Sequence, residues 1–202
     1  MDISMEKIKR LRKETSAGVL DCKQALEETG GDIEEAKKVL RKKGMEIAEI
    51  KSGEKTTQGR IISYIHHNGK VGALVEIYCQ SDFVAINAEF QEFAKDIAMH
   101  IVAFNPRWNS PEDIPAEVVE EEKSILKVQA EKEGKPSGII EKIIDGRIKK
   151  FYSRVCLLEQ PFLKDDKKTV RRYLQQFIAK VGENIKINRF VRYELRERAE
   201  NN

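Results

Sequence analysis

Two alternating apolar runs flank an Asn68-Gly69 pair, and a third such run stands far away near the C-terminus. Ile61, Ser63 and Ile65 alternate with Ile62 and Tyr64. Val71, Ala73, Val75, Ile77 and Cys79 point one way, while Glu76 and Tyr78 point the other. Asn-Gly between such runs is the strongest short hairpin signal, because both residues tolerate positive φ. Ile185, Ile187, Arg189, Val191, Tyr193 and Leu195 alternate with mostly polar neighbours and read as a terminal strand. A lone strand leaves its backbone groups unpaired, so this one joins the hairpin. The rest of the chain has helical periodicity. The fold class is therefore α+β: an N-terminal three-helix bundle, then a core domain with a small antiparallel sheet covered by helices.

The bundle comes first. Ile8 and Leu11 form one apolar stripe, Val19, Cys22 and Leu26 a second, and Ile33, Ala36 and Leu40 a third, all at helical spacing. Gly30-Gly31 ends the second helix. Asp32 caps the third, with Glu35 placed to close a capping box. Arg41 to Lys43 suit the negative end of that helix, and Gly44 stops it. The polar stretch Lys51 to Gly59 reads as a linker. The expected domains are 1–54, helical module and linker, and 55–202, the α+β core.

Four further helices are expected. One carries Phe90, Phe93, Ala94, Ile97, Ala98 and Ile101 and ends before Pro106. A charged one starts near Pro115 and stops at Gly134. Another starts near Pro136 with Ile140, Ile143, Ile144, Ile148, Phe151 and Val155 on one face. The last carries Val170, Tyr173, Leu174, Phe177 and Ile178 and closes at Gly182.

Of the 202 residues, 37 are basic and 34 acidic, so the net charge is only +3. That balance does not suit a protein whose affinity comes from neutralising phosphates. No signal peptide or membrane-spanning run is read, so a cytoplasmic protein is expected. Cys22, Cys79 and Cys156 are sparse, odd in number and without a Cys-x-x-Cys pair, which suits reduced thiols. Lys55-Thr56 lacks the glycine spacing and preceding strand of a phosphate loop. Adjacent His66 and His67 should diverge to opposite faces. His100 is read on the polar side of its helix, and Glu117 to Glu122 as a solvated face. No metal site, cofactor site or nucleophile with its base is recognised, so no enzyme is expected.

Ser81-Asp82-Phe83-Val84 lies where the second strand gives way to a helix and has two readings. As a helix start, Ser81 caps, Asp82 favours the positive end and Phe83 packs inward. As a site, it is a rigid tip carrying an acid beside an aromatic wedge.

Longer segments carry a resemblance. Leu11-Arg-Lys-Glu-Thr-Ser-Ala-Gly-Val-Leu-Asp-Cys-Lys-Gln-Ala-Leu26, Gly30-Gly-Asp-Ile-Glu34 and Leu40-Arg-Lys-Lys-Gly44 resemble the opening of the elongation factor Ts family. Cys79-Gln-Ser-Asp-Phe-Val-Ala85 is similar to that family's Thr-Asp-Phe-Val signature. Asp145-Gly-Arg-Ile-Lys-Lys-Phe-Tyr152 and Leu158-Glu-Gln-Pro-Phe162 resemble a third segment. Together they span nearly the whole chain in family order.

The resemblance implies a guanine nucleotide exchange factor for the translation GTPase EF-Tu. It implies a ubiquitin-associated-like first domain that docks on EF-Tu, with Val19, Leu20 and Lys23 in the docking motif; Val19 or Leu20 could equally be core. It implies that Ser81, Asp82, Phe83 and Val84 form the exchange tip, the Asp-Phe pair intruding near the magnesium bound to EF-Tu. Ser81 replaces the family's usual Thr, Ile86 stands where a basic residue is common, and Thr15-Ser-Ala-Gly18 replaces Thr-Gly-Ala-Gly. The chain is short beside members with a duplicated core half, so a homodimer is expected. Two rival classes remain: an RNA-binding module built on the basic helix clusters, and an acid–base enzyme built on the glutamate-rich helix.

Overall fold

The computed structural model describes residues 3–15, 17–134 and 136–195; Ser16 of the Thr15-Ser-Ala-Gly18 segment lies outside them. In chain order the elements are α1 (Met5–Thr15), α2 (Val19–Glu28), α3 (Ile33–Ser52), β1 (Gln58–Ile65), β2 (Val71–Cys79), α4 (Asp82–Ile86) and α5 (Ala88–Phe104). They continue as α6 (Ala116–Lys132), α7 (Ser137–Val155), β3 (Pro161–Phe162), β4 (Asp165–Thr169), α8 (Val170–Val181) and β5 (Lys186–Glu194). β1, β2 and β5 form one antiparallel sheet in the order β1-β2-β5. The α+β expectation holds.

The described residues form two compact units. One draws on Met1–Arg60, Ile77–Phe93 and Tyr173–Lys186, the other on Ile61–Glu76, Ala94–Arg172 and Ile187–Asn202.

In the first unit, Ile8, Leu11, Cys22, Ala25, Leu26 and Ala36 form the buried centre of the three-helix bundle. α2 ends ahead of Gly30 and Gly31. Asp32 accepts from the Glu34 and Glu35 N–H groups and so starts α3. The expected capping box does not close: Asp32 N–H donates to the Thr29 carbonyl, and the Glu35 carboxylate pairs with Lys38. Nor does Gly44 stop α3, which runs on to Ser52. Gly44 does not take the positive φ of a helix-ending glycine, and a single glycine inside a long helix costs only about 1 kcal/mol without ending it. An added Cβ there would meet Ala179 of α8 at an ordinary contact distance of 3.6 Å. The expected linker is correspondingly shorter. Phe93 stacks on Phe177 at 4.4 Å and contacts Tyr173 at 5.1 Å, joining α5 to α8.

In the second unit, Asn68-Gly69 does make the hairpin turn, but not as two positive-φ residues. Gly69 takes φ 64° and Asn68 does not. His66 N–H donates to the Val71 carbonyl and Gly69 N–H to the His66 carbonyl, so the loop is His67–Lys70, built around one tight turn. Because His67 has already left the strand, the two imidazoles do not diverge; their centroids are 4.2 Å apart. β5 runs back along β2, with Leu195 N–H on the Lys70 carbonyl and Glu76 accepting from Asn188 and Arg189. Arg192 donates to the Val102 carbonyl of α5. Ile114, Leu126, Ile148, Phe151, Val155 and Cys156 form a core between α6 and α7. The β3–β4 hairpin is not legible in the sequence pattern; Lys164 in its turn reaches the buried Asp96 at 2.6 Å.

His100 corrects the polar-face expectation, since it is fully buried. Leu163 N–H donates to its Nδ1 at 3.2 Å. A backbone N–H can only donate, so Nδ1 is unprotonated and Nε2–H donates to Gln160 Oε1 at 2.9 Å. Gln160 in turn donates to the Arg154 carbonyl at 2.8 Å. Burial lowers the His100 pKa, and the Gln160 bond only partly offsets this. The unfolded chain therefore takes up this proton near pH 6.5, the ordinary histidine value, and the folded chain only at lower pH. His100 supports the fold fully above pH 7 and less as pH falls below 6.5. The stability gap between wild type and His100→Gln, from urea melts, is expected to narrow steadily from pH 7 to pH 5. A constant gap would contradict the neutral tautomer.

Candidate functional site

β2 carries the chain to Cys79, where the ladder ends, and α4 begins at Asp82. Backbone donors at this junction have lost their strand partners and are not yet helical acceptor-paired. Ser81 answers part of the need. Its φ of −117° and ψ of 156° are those of an N-cap, and its Oγ accepts from Val84 N–H at 3.3 Å. The buried Cys79 thiol donates to the Ser81 carbonyl at 3.2 Å. The rest comes from Glu183, just beyond α8. Its Oε2 accepts from Gln80 N–H at 3.2 Å and Ser81 N–H at 3.1 Å, and its Oε1 accepts from Ser81 Oγ–H at 2.6 Å.

The far end of α4 is closed as firmly. Arg60 Nε donates to the Ala85 carbonyl at 2.6 Å, and Gln91 Nε2 to the Ile86 carbonyl at 3.1 Å. Asn87 N–H bonds the Val84 carbonyl, and its side chain accepts from Glu89 N–H to start α5. A helix of five residues does not persist by its own hydrogen bonds; this one is held from both ends.

Ala85 packs inward and Val84 is half-buried, while Asp82 and Phe83 face solvent. The Phe83 residue is 78% exposed, so the inward-packing reading is wrong for it. Ile86 is also exposed. Burial, with the charges of Glu183 and Asp82 adding to it, pushes the Cys79 thiol up to about 11, so it is inert as a nucleophile near neutral pH.

A second surface lies at the start of α2. Val19 is 45% exposed and Leu20 76%, which removes Val19 from the expected core stripe and resolves the open choice for both residues toward the surface. Lys23, one turn on, is exposed and pairs loosely with Glu27 at 3.7 Å. Cys22, between them in sequence, is buried.

The family described as Elongation factor TS matches residues 3–197. The chain belongs to the elongation factor Ts family. It is 50% identical over 197 residues to Elongation factor Ts of Fervidobacterium nodosum, covering 98% of this chain and 100% of that one. It is 53% identical to Elongation factor Ts of Geobacter metallireducens and 52% to that of Geotalea uraniireducens, covering 98% of this chain and 91% of each relative. Membership in the elongation factor Ts family gives the chain a role in translation elongation.

Within this elongation factor Ts fold, Ser81 to Val84 form one built feature and Val19, Leu20 and Lys23 share one helix start. Both lie in the first unit. Glu183 is invisible to sequence reasoning. It stands 102 residues from Ser81, and no local pattern links them; Gly182 beside it marks only a helix end. Among the described residues no group of three or more His, Cys, Asp or Glu is placed to hold a metal ion, and no helix is long and apolar enough to cross a membrane.

The two tip residues should differ in their effect on stability. Ser81→Ala is expected to cost about 1–3 kcal/mol, through the lost cap and the loss of the hydroxyl donor to Glu183 Oε1, while Oε2 keeps its two backbone donors. Phe83→Ala should stay within about 0.5 kcal/mol, as for surface substitutions generally. Urea midpoints check both, and a larger loss for Phe83→Ala would place that ring in a core.

Proposed function

We propose that this chain is a guanine nucleotide exchange factor for the translation GTPase EF-Tu, binding EF-Tu·GDP and promoting GDP release so that GTP can load. The single observation that carries the reading is a solvent-facing Asp82-Phe83 pair on a short helix whose two ends are both fixed by side chains from elsewhere. Magnesium in a GTPase bridges phosphate oxygens and neutralises their charge. A carboxylate brought close to that ion competes for its coordination, and a rigid aromatic wedge keeps the neighbouring loops apart. Neither act breaks a covalent bond, so the factor works by binding. It holds nucleotide-free EF-Tu more tightly than the GDP form, and by reciprocity nucleotide weakens its hold by the same factor, typically about 1–3 kcal/mol. GTP then displaces it, and the factor recycles in the cytoplasm.

In this reading residues 1–54 are the docking module and linker, and 55–202 the core. Val19, Leu20 and Lys23 meet EF-Tu. An exposed valine and leucine beside a lysine suit the apolar centre and polar rim of an interface. Asp82→Ala and Phe83→Ala are expected to slow release of fluorescent GDP from EF-Tu by about tenfold or more each, within the range that about 1–3 kcal/mol of coupling allows. Unchanged release rates in both, with EF-Tu binding intact, would sink the proposal.

A homodimer is the second part of the reading. Ile61, Ile65, Leu74, Val191, Tyr193 and Leu195 are exposed on the second unit. The pairing of His66 with Val71 and of Leu195 with Lys70 puts Ile61, Ile65, Leu74, Val191 and Tyr193 on one sheet face. Contiguous apolar surface of this kind marks an interaction site, and a second copy offers the same face. Light scattering should give a dimer at micromolar concentration and a monomer for Ile65→Asp with Tyr193→Asp. A monomeric wild type overturns it.

A further inference from the structure

We infer that Glu183 is a positioning residue for the exchange tip, and that the Glu183-Asn184 turn ties this tip to the end of α3; the inference rests on the exchange reading above. The carboxylate takes three donors, the N–H groups of Gln80 and Ser81 and the Ser81 hydroxyl, at 3.2, 3.1 and 2.6 Å. Charge-assisted bonds of this kind are roughly twice as strong as neutral ones and fix direction. Through Ser81 Oγ the restraint passes to Val84 N–H, so Asp82 and Phe83 lie between two anchored residues. Glu183 is half-buried and both its oxygens are engaged by the tip. It acts through Ser81 and does not touch the partner.

The next residue faces the other way along the same unit. Asn184 is buried, and its Nδ2 donates to the Glu54 carbonyl at 2.7 Å and the Ser52 carbonyl at 3.3 Å, where α3 ends. The Glu54 carboxylate bonds Lys51 at 2.8 Å and also takes the Gln80 side chain. Three segments distant in sequence, 51–54, 80–81 and 183–184, thus converge on one turn. The helix that leads out of the three-helix bundle and the loop that presents the tip share their fixings.

A merely structural glutamate would lower stability and leave the exchange kinetics of the folded protein alone. A positioning glutamate predicts a split. The full-length wild type, Glu183→Gln and Glu183→Ala are compared by GDP release from EF-Tu over a range of factor concentrations, giving a maximal rate and a half-saturation point. Hydrogen–deuterium exchange of the free proteins is followed at residues 80–84. Glu183→Ala should lower the maximal rate about tenfold or more, since displacement by about 1 Å can cost a hundredfold, with half-saturation unchanged within about twofold. Glu183→Gln, which keeps one acceptor oxygen, should fall between, so an unfolded Ala variant still leaves a decisive comparison. Amides 80–84 should exchange faster in both variants while α1 to α3 keep their protection. An unchanged maximal rate, a parallel change in both kinetic parameters, or a general loss of protection overturns the inference. Failure of the wild type to speed release at all removes the exchange reading and the inference resting on it. Unchanged exchange at 80–84 refutes the clamp by itself.

Discussion

Strand β2 is buried on one face along its length, and much of the molecule is placed by that fact. Ala73, Val75, Ile77 and Cys79 are all buried. A one-residue slip would turn every one of them to the opposite face, so the register is strongly set. β2 is central, with β1 and β5 on either side, and so has no free edge. Gly59 tightens the arrangement. With φ at 155°, a Cβ there would lie 2.3 Å from the Ile77 carbonyl oxygen, so β1 passes closer than any side chain allows. The strand end is therefore fixed before the tip begins, and Gln80 and Ser81 leave it at a defined point.

The fixed strand end brings with it a problem of unpaired donors. A strand that stops and a helix that starts two residues later leave N–H groups without ladder or helical acceptors. Ser81 supplies one acceptor locally, and Glu183 supplies the others from across the chain. Arg60 and Gln91 meet the mirror-image need at the C-terminal end of α4, where carbonyls are left over. Once the backbone is satisfied by inward-reaching partners, the outward positions of a single helical turn are free for function. Asp82 and Phe83 occupy them.

This division also explains which features are legible in the amino-acid sequence. The hairpin, the end of α2, the Asp32 cap and the closure of α8 rest on residues within a few positions of one another, and each is legible. So is the N-cap role of Ser81. Gly44 misleads because a glycine after three basic residues reads as a helix stop, whereas its backbone stays helical and α3 runs on to Ser52. His100 misleads because its partners are far away in sequence: its helix position is polar by type, yet Gln160 and the Leu163 N–H satisfy a buried imidazole. The β3–β4 hairpin has no apolar alternation in Asp165 to Thr169. Glu183 carries no signal at all. The tip is legible as a position through family likeness, but its rigidity is not, because the groups that hold it are non-local.

The placement of exposed apolar groups has a mechanical consequence for the exchange reading. Leu20 and Phe83 both face solvent and both lie in the unit that also holds α3, the tip and the turn after α8. An exchange factor must convert affinity for its partner into a displacement at the nucleotide, so only interactions that differ between the nucleotide-bound and empty states count. A loosely attached tip would bend when it met resistance, and contacts made by α2 would then fall equally on both states and change nothing. A tip whose donors end on a carboxylate, next to an asparagine that holds the end of α3, resists bending. On the exchange reading, stiffness between the two surfaces is what would let docking at one be felt as pressure at the other, and the polar turn at Glu183 and Asn184 supplies fixings for it.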